Sequence, residues 1–352
     1  MQNRLHYFIV RLCLVGVSFF GIVLVAFLFT NIVPGGPVEQ YVANMQAAGG
    51  ETAAGGSDLA SRAMSEEQLE AIREAFGLNL PFHERFWKWL VTDRIGMRAH
   101  SFKYTNKTAW EMIAERFPVS LSFGIPSLVL TYLICIPLGI AKALRNGKPF
   151  DLVSSFVVFT LYAIPAFAFG MLLKMLFSGT VEQFWDIFPL GGFRSAPEIW
   201  ETLSFWEKVK DQLWHMALPV FCYVMGNFAV MTLLMKNSLL EQINQDYVRT
   251  VLAKGGTMKR AVWRHAVRNA LIPLATGIGG ILSVMFAGSV LIEQVFDIPG
   301  IGWLSLDAVT GRDYPLFLAI VSIQSILGLL GLVLSDFCYV LIDPRIHFGG
   351  DR

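Results

Sequence analysis

The residues best suited to chemistry lie between Glu241 and Pro273, in the stretch EQINQDYVRTVLAKGGTMKRAVWRHAVRNALIP, and the chemistry they suit is docking. Six of the chain's 28 Lys and Arg residues fall here. From Asp246 to Lys254 the pattern predicts a short helix. Asp246 is a candidate N-cap whose carboxylate suits the positive helix end. Tyr247, Val248, Val251 and Leu252 share one face, and Gly255 can take the left-handed conformation that closes a helix. A second helix over Met258 to Asn269 would set Arg260, Arg264 and Arg268 in one stripe. Basic residues near anionic headgroups gain about 1 kcal/mol each, so lipid alone accounts for that stripe. Lipid does not account for an apolar helix face followed by the hinge Gly255-Gly256.

Other chemistries lack their residues. No GxxxxGK[ST] phosphate loop occurs; Gly147-Lys148 is followed by Pro149 and lacks the upstream glycine. Cys13, Cys135, Cys222 and Cys338 are far apart in apolar segments, without CxxC or Cys/His metal spacing, and read as packing residues. No cluster of His, Asp and Glu sits within the apolar segments, which argues against a membrane enzyme. A net charge of +1 gives no reason to expect nucleic acid as a partner.

The elements that must position the docking loop are membrane spans. The chain is 54% hydrophobic and 16% charged, against about a quarter charged in soluble domains. Six apolar segments are long enough to cross a bilayer: Phe8 to Val33, Val119 to Ala141, Leu152 to Phe177, Met216 to Met235, Leu271 to Ile292 and Pro315 to Ile342. Prolines at 126, 137, 165, 219 and 273 fall within them or at their ends, which membrane helices tolerate. The first run has no small-x-small cleavage site and is expected to remain as a span. Small residues at Ala275, Gly277, Gly279, Gly280 and Gly288 would let the fifth helix pack closely.

Basic residues set the orientation. Arg4 and Arg11, then Lys142, Arg145 and Lys148, then Lys236 to Arg268, then Arg345 and Arg352 place 14 of the 28 on one side, in its short loops. Both termini are therefore expected in the cytoplasm. Outside lie a long loop, Pro34 to Arg116, and a second, Ser178 to His215. The first holds PGGP, a Gly/Ala-rich stretch at Ala47 to Gly56, a capping box at Ser65-x-x-Gln68 and a short helix after Pro81 through Phe82, Phe86 and Trp89. The second carries Trp185, Trp200, Trp206 and Trp214, an interfacial belt or a seat for an outside partner. Only two ionisable residues are expected inside the spans. Lys174 would snorkel to the outer interface, and Asp336 would pair with a basic residue near the inner headgroups. That scarcity argues against a stand-alone ion-coupled carrier.

The pattern D-Y-V-R-T-x-x-A-K-G followed by R-H-A-x-R-N-A-L-x-P resembles the coupling loop of ATP-binding cassette (ABC) importer permeases of the dipeptide, oligopeptide and nickel branch. The resemblance continues in IVPGGPV at Ile32 to Val38, IPLGIAKALRNG at Ile136 to Gly147, GSVLIEQVFDIPGIGWL at Gly288 to Leu304, and Asp336-x-x-Tyr339 with Asp343-Pro344-Arg345. HERF at His83 to Phe86, Ser238 after Lys236-Asn237, and RDYP at Arg312 to Pro315 are most similar to the Yej-type permeases associated with microcin C and oligopeptide uptake. Two positions depart. Val251 stands where relatives often carry alanine, and Gly256 stands where they often carry leucine, which is expected to loosen the hinge.

The resemblance implies an all-α type I ABC importer permease with six transmembrane helices, N-in and C-in, in the bacterial inner membrane. Residues 1–33 would form the N-terminus and first span, 34–116 a periplasmic loop, 117–345 a five-helix core, and 346–352 a cytoplasmic tail. Within that core 178–215 would be the periplasmic loop and 236–270 the coupling loop. The coupling helix would be Asp246, Tyr247, Val248, Arg249, Thr250, Val251, Leu252, Ala253, Lys254 and Gly255, supported by Arg264, His265, Arg268, Asn269 and Pro273. The implied partners are a second permease, a cytoplasmic ABC ATPase that uses ATP and Mg, a periplasmic solute-binding protein and membrane lipid. The chain itself would bind no cofactor or metal and catalyse nothing. The implied cargo is peptide or peptide-like, microcin C included, with nickel or another small solute as the alternative.

Overall fold

The computed structural model describes residues 2–32, 79–104, 106–179, 185–275 and 289–342. The described residues are mostly helical, with isolated bridges at His100–Thr108 and Ser178–Asp186 and no strand among them. In order, the helices are α1 (Gln2–Ile32), α2 (Phe82–Trp87), α3 (Ala109–Leu144), α4 (Pro149–Ala163), α5 (Ala166–Phe177), α6 (Pro197–Trp200), α7 (Phe205–Ile243), α8 (Asp246–Ala253), α9 (Met258–Ala261), α10 (Val267–Ala270), α11 (Val290–Val295), α12 (Ile301–Thr310) and α13 (Tyr314–Ile342). A π-helical turn, Lys88–Thr92, extends α2, and another, Val262–Ala266, joins α9 to α10.

Among the described residues four helices, α1, α3, α7 and α13, are long and apolar enough to cross a bilayer. The third expected span is broken rather than continuous: α4 and α5 meet at 92°. The cause is Pro165, which forces Ile164 out of the helical region (φ −92°, ψ 122°). The fifth expected span falls mostly on 276–288, outside the described residues, as do 33–78 and 343–352 with the motifs read there.

Two helices start about ten residues before their apolar runs, because each has its own capping box. Thr108 Oγ1 accepts from Glu111 N at 3.3 Å while the Glu111 carboxylate accepts from Thr108 N at 2.8 Å, which opens α3 at Ala109. Ser204 and Glu207 do the same for α7. Prolines 118, 126 and 137 lie inside α3, and Pro219 inside α7, without ending either helix.

The chain divides into two compact units. The larger comprises Met1–Val15, Phe117–Trp303 and Leu327–Arg352. One of its apolar clusters joins Val119 and Phe123 to Val220, Cys222, Ile292 and Phe296. Another joins Ile140, Met235 and Leu239 to Val248, Val262 and Ala266, so the docking loop is packed onto the ends of α3 and α7. Gly139 permits that approach: a Cβ there would lie 2.6 Å from the Met235 Cβ. The smaller unit, Gly16–Arg116 and Leu304–Ile326, packs Val23, Phe27, Phe86, Trp89 and Leu318 together. There Asp313 caps α13, accepting from Leu316 N at 3.4 Å, from Phe102 N at 3.1 Å and from the Ser101 hydroxyl.

Candidate functional site

Helix α7 ends at Ile243, and Gln245 is the N-cap residue of α8 with extended φ/ψ and no side-chain cap. Asp246 is therefore the first helical residue, not the N-cap as expected. It still sits at the positive helix end, where its carbonyl accepts from Thr250 Oγ1 at 2.9 Å. Gly255 has φ +79°, the left-handed closure expected of it. Its amide donates to Leu252 O at 2.9 Å.

The apolar face of α8 points inward, which corrects its reading as the docking face. Val248 is 1% exposed and packs with Leu239, Val262 and Ala266; Tyr247 and Val251 pack around them. The Tyr247 hydroxyl donates to Gln242 Oε1 at 2.8 Å and also bonds Asn269, so Asn269 braces α8 from the second helix. Burial pushes the Tyr247 pKa up, which keeps the hydroxyl a donor. What α8 offers to a partner is its other side: Arg249, Thr250, Leu252, Ala253 and Lys254 are exposed.

The second helix begins at Thr257, whose hydroxyl accepts from Arg260 N at 3.3 Å. Ala261, Val262, Ala266 and Ala270 face inward and are buried. Arg260, Arg264, His265 and Arg268 are exposed along with Met258 and Trp263, and Pro273 continues the path in the helical turn 272–275. An apolar anchor beside a basic stripe suits a headgroup region.

Buried charge is more abundant than the sequence reading allowed. Lys174 does not simply snorkel: its Nζ donates to Val295 O at 2.7 Å and to Asp297 Oδ2 at 2.9 Å. Lys142, read as a loop charge, is fully buried beside Asp151. Glu293, one residue beyond the fifth apolar run, is 1% exposed. Its carboxylate accepts from Trp303 N at 2.7 Å and from Ser120 Oγ at 3.3 Å, while Ser120 Oγ accepts from Ile301 N at 2.8 Å. Glu293 and Ser120 thus satisfy the amides that open α12. Asp336 behaves as expected, pairing with Arg11 at 2.7 Å. Among the described residues no group of His, Cys, Asp and Glu could hold a metal.

Glu293 and Ser120 had one legible signal, the helix-opening PGIG at Pro299 to Gly302, which needs a capping group that no local Ser, Thr, Asp or Asn supplies. Asp151 had another, an acid in the first turn of a Pro-started helix just after the basic residues Arg145 and Lys148.

Comparison with known proteins places this geometry. Residues 135–348 match the family described as the binding-protein-dependent transport system inner membrane component. The inner membrane ABC transporter permease protein YejB of Escherichia coli O157:H7 is 38% identical, covering 98% of this chain and 99% of that protein. A peptidoglycan transport system permease protein YejB of Agrobacterium fabrum is 36% identical, covering 97% and 98%. The oligopeptide transport system permease protein AppB of Bacillus subtilis is 34% identical, covering 81% and 87%.

Proposed function

This chain belongs to the binding-protein-dependent transport system inner membrane component family, and we propose that it forms, with a second permease, the path by which peptides or peptide-like compounds cross the inner membrane. The observation that carries the cargo class is similarity above 30% identity, over 81% to 97% of this chain, to permeases named for oligopeptide and peptidoglycan transport. Peptides borne on wall fragments and microcin C fit the same class. Nickel or another small solute is the second reading.

Helix α8 is the coupling helix. A separate ABC ATPase binds ATP and Mg, closes, and pushes on the exposed side of α8 at Arg249, Leu252 and Ala253. Val248, Val251 and Tyr247 hold α8 to α7 and to the second helix, so the push reaches the spans. Arg264, His265 and Arg268 keep the loop at the inner surface, and Asn269 and Pro273 fix where the second helix turns back into the membrane. The chain binds no nucleotide itself, and a periplasmic solute-binding protein delivers the cargo. Asp336 pairs with Arg11 and Lys174 with Asp297, so these two ionisable groups are tied up in ion pairs, which argues against proton coupling through them.

The test is uptake of a labelled tripeptide by proteoliposomes. The chain with its second permease, ATPase and binding protein should accumulate peptide on addition of internal ATP, and unlabelled peptide but not nickel should compete. The chain alone should accumulate none. Uptake by the chain alone, or competition by nickel only, would refute the reading.

A further inference from the structure

The α3–α4 turn holds a buried cluster of two lysines on one carboxylate. Lys142, two residues before the end of α3, is 0% exposed. Its Nζ lies 3.2 Å from Asp151 Oδ1 and donates to Asp151 O at 3.1 Å, Ser154 Oγ at 2.9 Å and Ser155 Oγ at 2.7 Å. Asp151, in the first turn of α4, is 4% exposed and accepts from Gly147 N at 3.1 Å. Lys236 of α7 brings its Nζ to 2.8 Å from both Asp151 carboxylate oxygens.

The two lysines are held differently. Lys142 is bonded to a carbonyl and two hydroxyls of α4 besides the carboxylate, so α3 and α4 form a hairpin fastened at several atoms. Among the described residues, Lys236 reaches α4 through the carboxylate alone. A buried charged hydrogen bond is strong when made and costly when broken, which makes such a pair a two-position joint rather than a compliant spring. The position of the joint matters. Lys236 lies on the last two turns of α7, flanked by Met235 and Leu239, both 0% exposed and both in the cluster that seats Val248 of α8. A push on α8 therefore arrives at Lys236 before it reaches any other polar link between α7 and α4 described above.

We propose that Asp151 and Lys236 are the positioning pair that hands the displacement of α8 to the α3–α4 hairpin, so that ATP use is spent on transport. The inference rests on the reading of α8 as the ATPase dock. The pair does not touch ATP, ATPase or cargo; it sets how much of the movement of α7 the hairpin shares.

The experiment uses the full complex in proteoliposomes, with ATP hydrolysis and peptide uptake measured together at matched amounts of assembled protein. Lys236→Met removes the joint but leaves Lys142 neutralised by Asp151. The expected result is a complex that assembles and hydrolyses ATP, with peptides moved per ATP lowered about tenfold, a loss equivalent to about 1.4 kcal/mol of coupling. Lys236→Arg, which can bridge both oxygens, should restore the ratio. A purely structural pair would lower uptake and hydrolysis together, in step with the amount of complex, and leave the ratio unchanged; that result overturns the proposal, as does a wild-type ratio in Lys236→Met. If Lys236→Met does not assemble, Lys236→Gln takes its place, and failure of both also overturns it. Leu252→Asp in the same assay separates the two readings. If that variant keeps its ATPase, the docking assignment of α8 is wrong. If it sheds the ATPase while Lys236→Met couples normally, only the joint is wrong.

Discussion

The amide of Gly256 donates to the carbonyl of Val251 at 2.9 Å, and a Cβ placed on Gly256 would lie 2.7 Å from Val251 Cγ1 and 2.8 Å from Val251 O. These are the two positions that the sequence reading took as departures from the coupling-loop pattern. The structure makes them one feature: a larger residue at 251 leans on a missing side chain at 256. The second glycine therefore closes the turn after α8 tightly instead of loosening it. Gly256→Leu should cost about 1–3 kcal/mol of loop stability by overpacking. Val251→Ala should recover only part of it, because the carbonyl contact remains. Limited proteolysis of the loop in membranes, scored for the two single variants and the double, measures this; equal protection of Gly256→Leu and wild type would contradict it.

Docking and packing residues of α8 should separate cleanly on mutation. Leu252 is 38% exposed and Val248 is 1% exposed. Leu252→Asp should insert normally, reach wild-type membrane levels and fail to retain the ATPase. Val248→Asp should bury an unpaired charge, costing about 3–5 kcal/mol, and the protein should be degraded. Arg264→Ala should lower ATPase retention slightly or not at all. Membrane levels by immunoblot and ATPase recovery by affinity purification decide it. Val251→Asp is a poor probe of docking, since Val251 supports both the core beneath α8 and the turn at Gly256.

The ends of this fold were less legible in the sequence than its middles. Hydropathy located both ends of α13 and the end of α1 to within a residue, but put the start of α1 six residues late, because that helix already runs through the polar Gln2, Asn3 and Arg4. It misplaced the starts of α3 and α7, where the deciding signals were Thr108-x-x-Glu111 and Ser204-x-x-Glu207. Those motifs are local and were readable; the apolar runs outweighed them. The break at Pro165 was also readable in kind, but not its angle, because membrane helices such as α3 carry three prolines unbroken. At the docking loop, the left-handed glycine followed from residue type, but the N-cap did not: it is Gln245, one residue before the Asp246 expected. Which face of α8 packs inward did not, because an apolar stripe looks the same whether its partner is the same chain or another. The Lys142–Asp151–Lys236 cluster joins residues 85 positions apart, a pairing that no local spacing encodes.

Glu293 should be required for the segment that opens α12. Its carboxylate serves the Trp303 amide and the Ser120 hydroxyl, and Gly300 and Gly302 leave room for it. Glu293→Gln keeps one acceptor but removes the charge that favours a helix N-terminus, for a loss of about 1–2 kcal/mol. Ser120→Ala should add to it less than its own single effect, since both act on one network. The thermal midpoint of the purified permease pair in detergent tests this. A midpoint in Glu293→Gln equal to wild type would show that the buried carboxylate is dispensable.

The orientation of the chain can be decided by labelling, and the structure brings two of its basic loops together at one end. Lys236 meets Asp151 in the α3–α4 turn, so the basic segments at 142–148 and 236–268 lie at one end of the larger unit. Arg11 near the N-terminus meets Asp336 near the end of α13. Lys174 at the far end of α5 instead meets Asp297, beyond α11. The basic segments at 142–148 and 236–268 are thus gathered together, as the distribution of Lys and Arg requires if that end is cytoplasmic. Cys13 is the exposed native cysteine among the described residues and would be replaced first. Single cysteines at Thr202, Arg145 and Lys259, all exposed, then report the sides. A membrane-impermeant maleimide should modify Thr202→Cys in intact spheroplasts, and Arg145→Cys and Lys259→Cys only after the membrane is opened. Modification of Lys259→Cys in intact spheroplasts would invert the topology and remove α8 from the reach of any cytoplasmic ATPase.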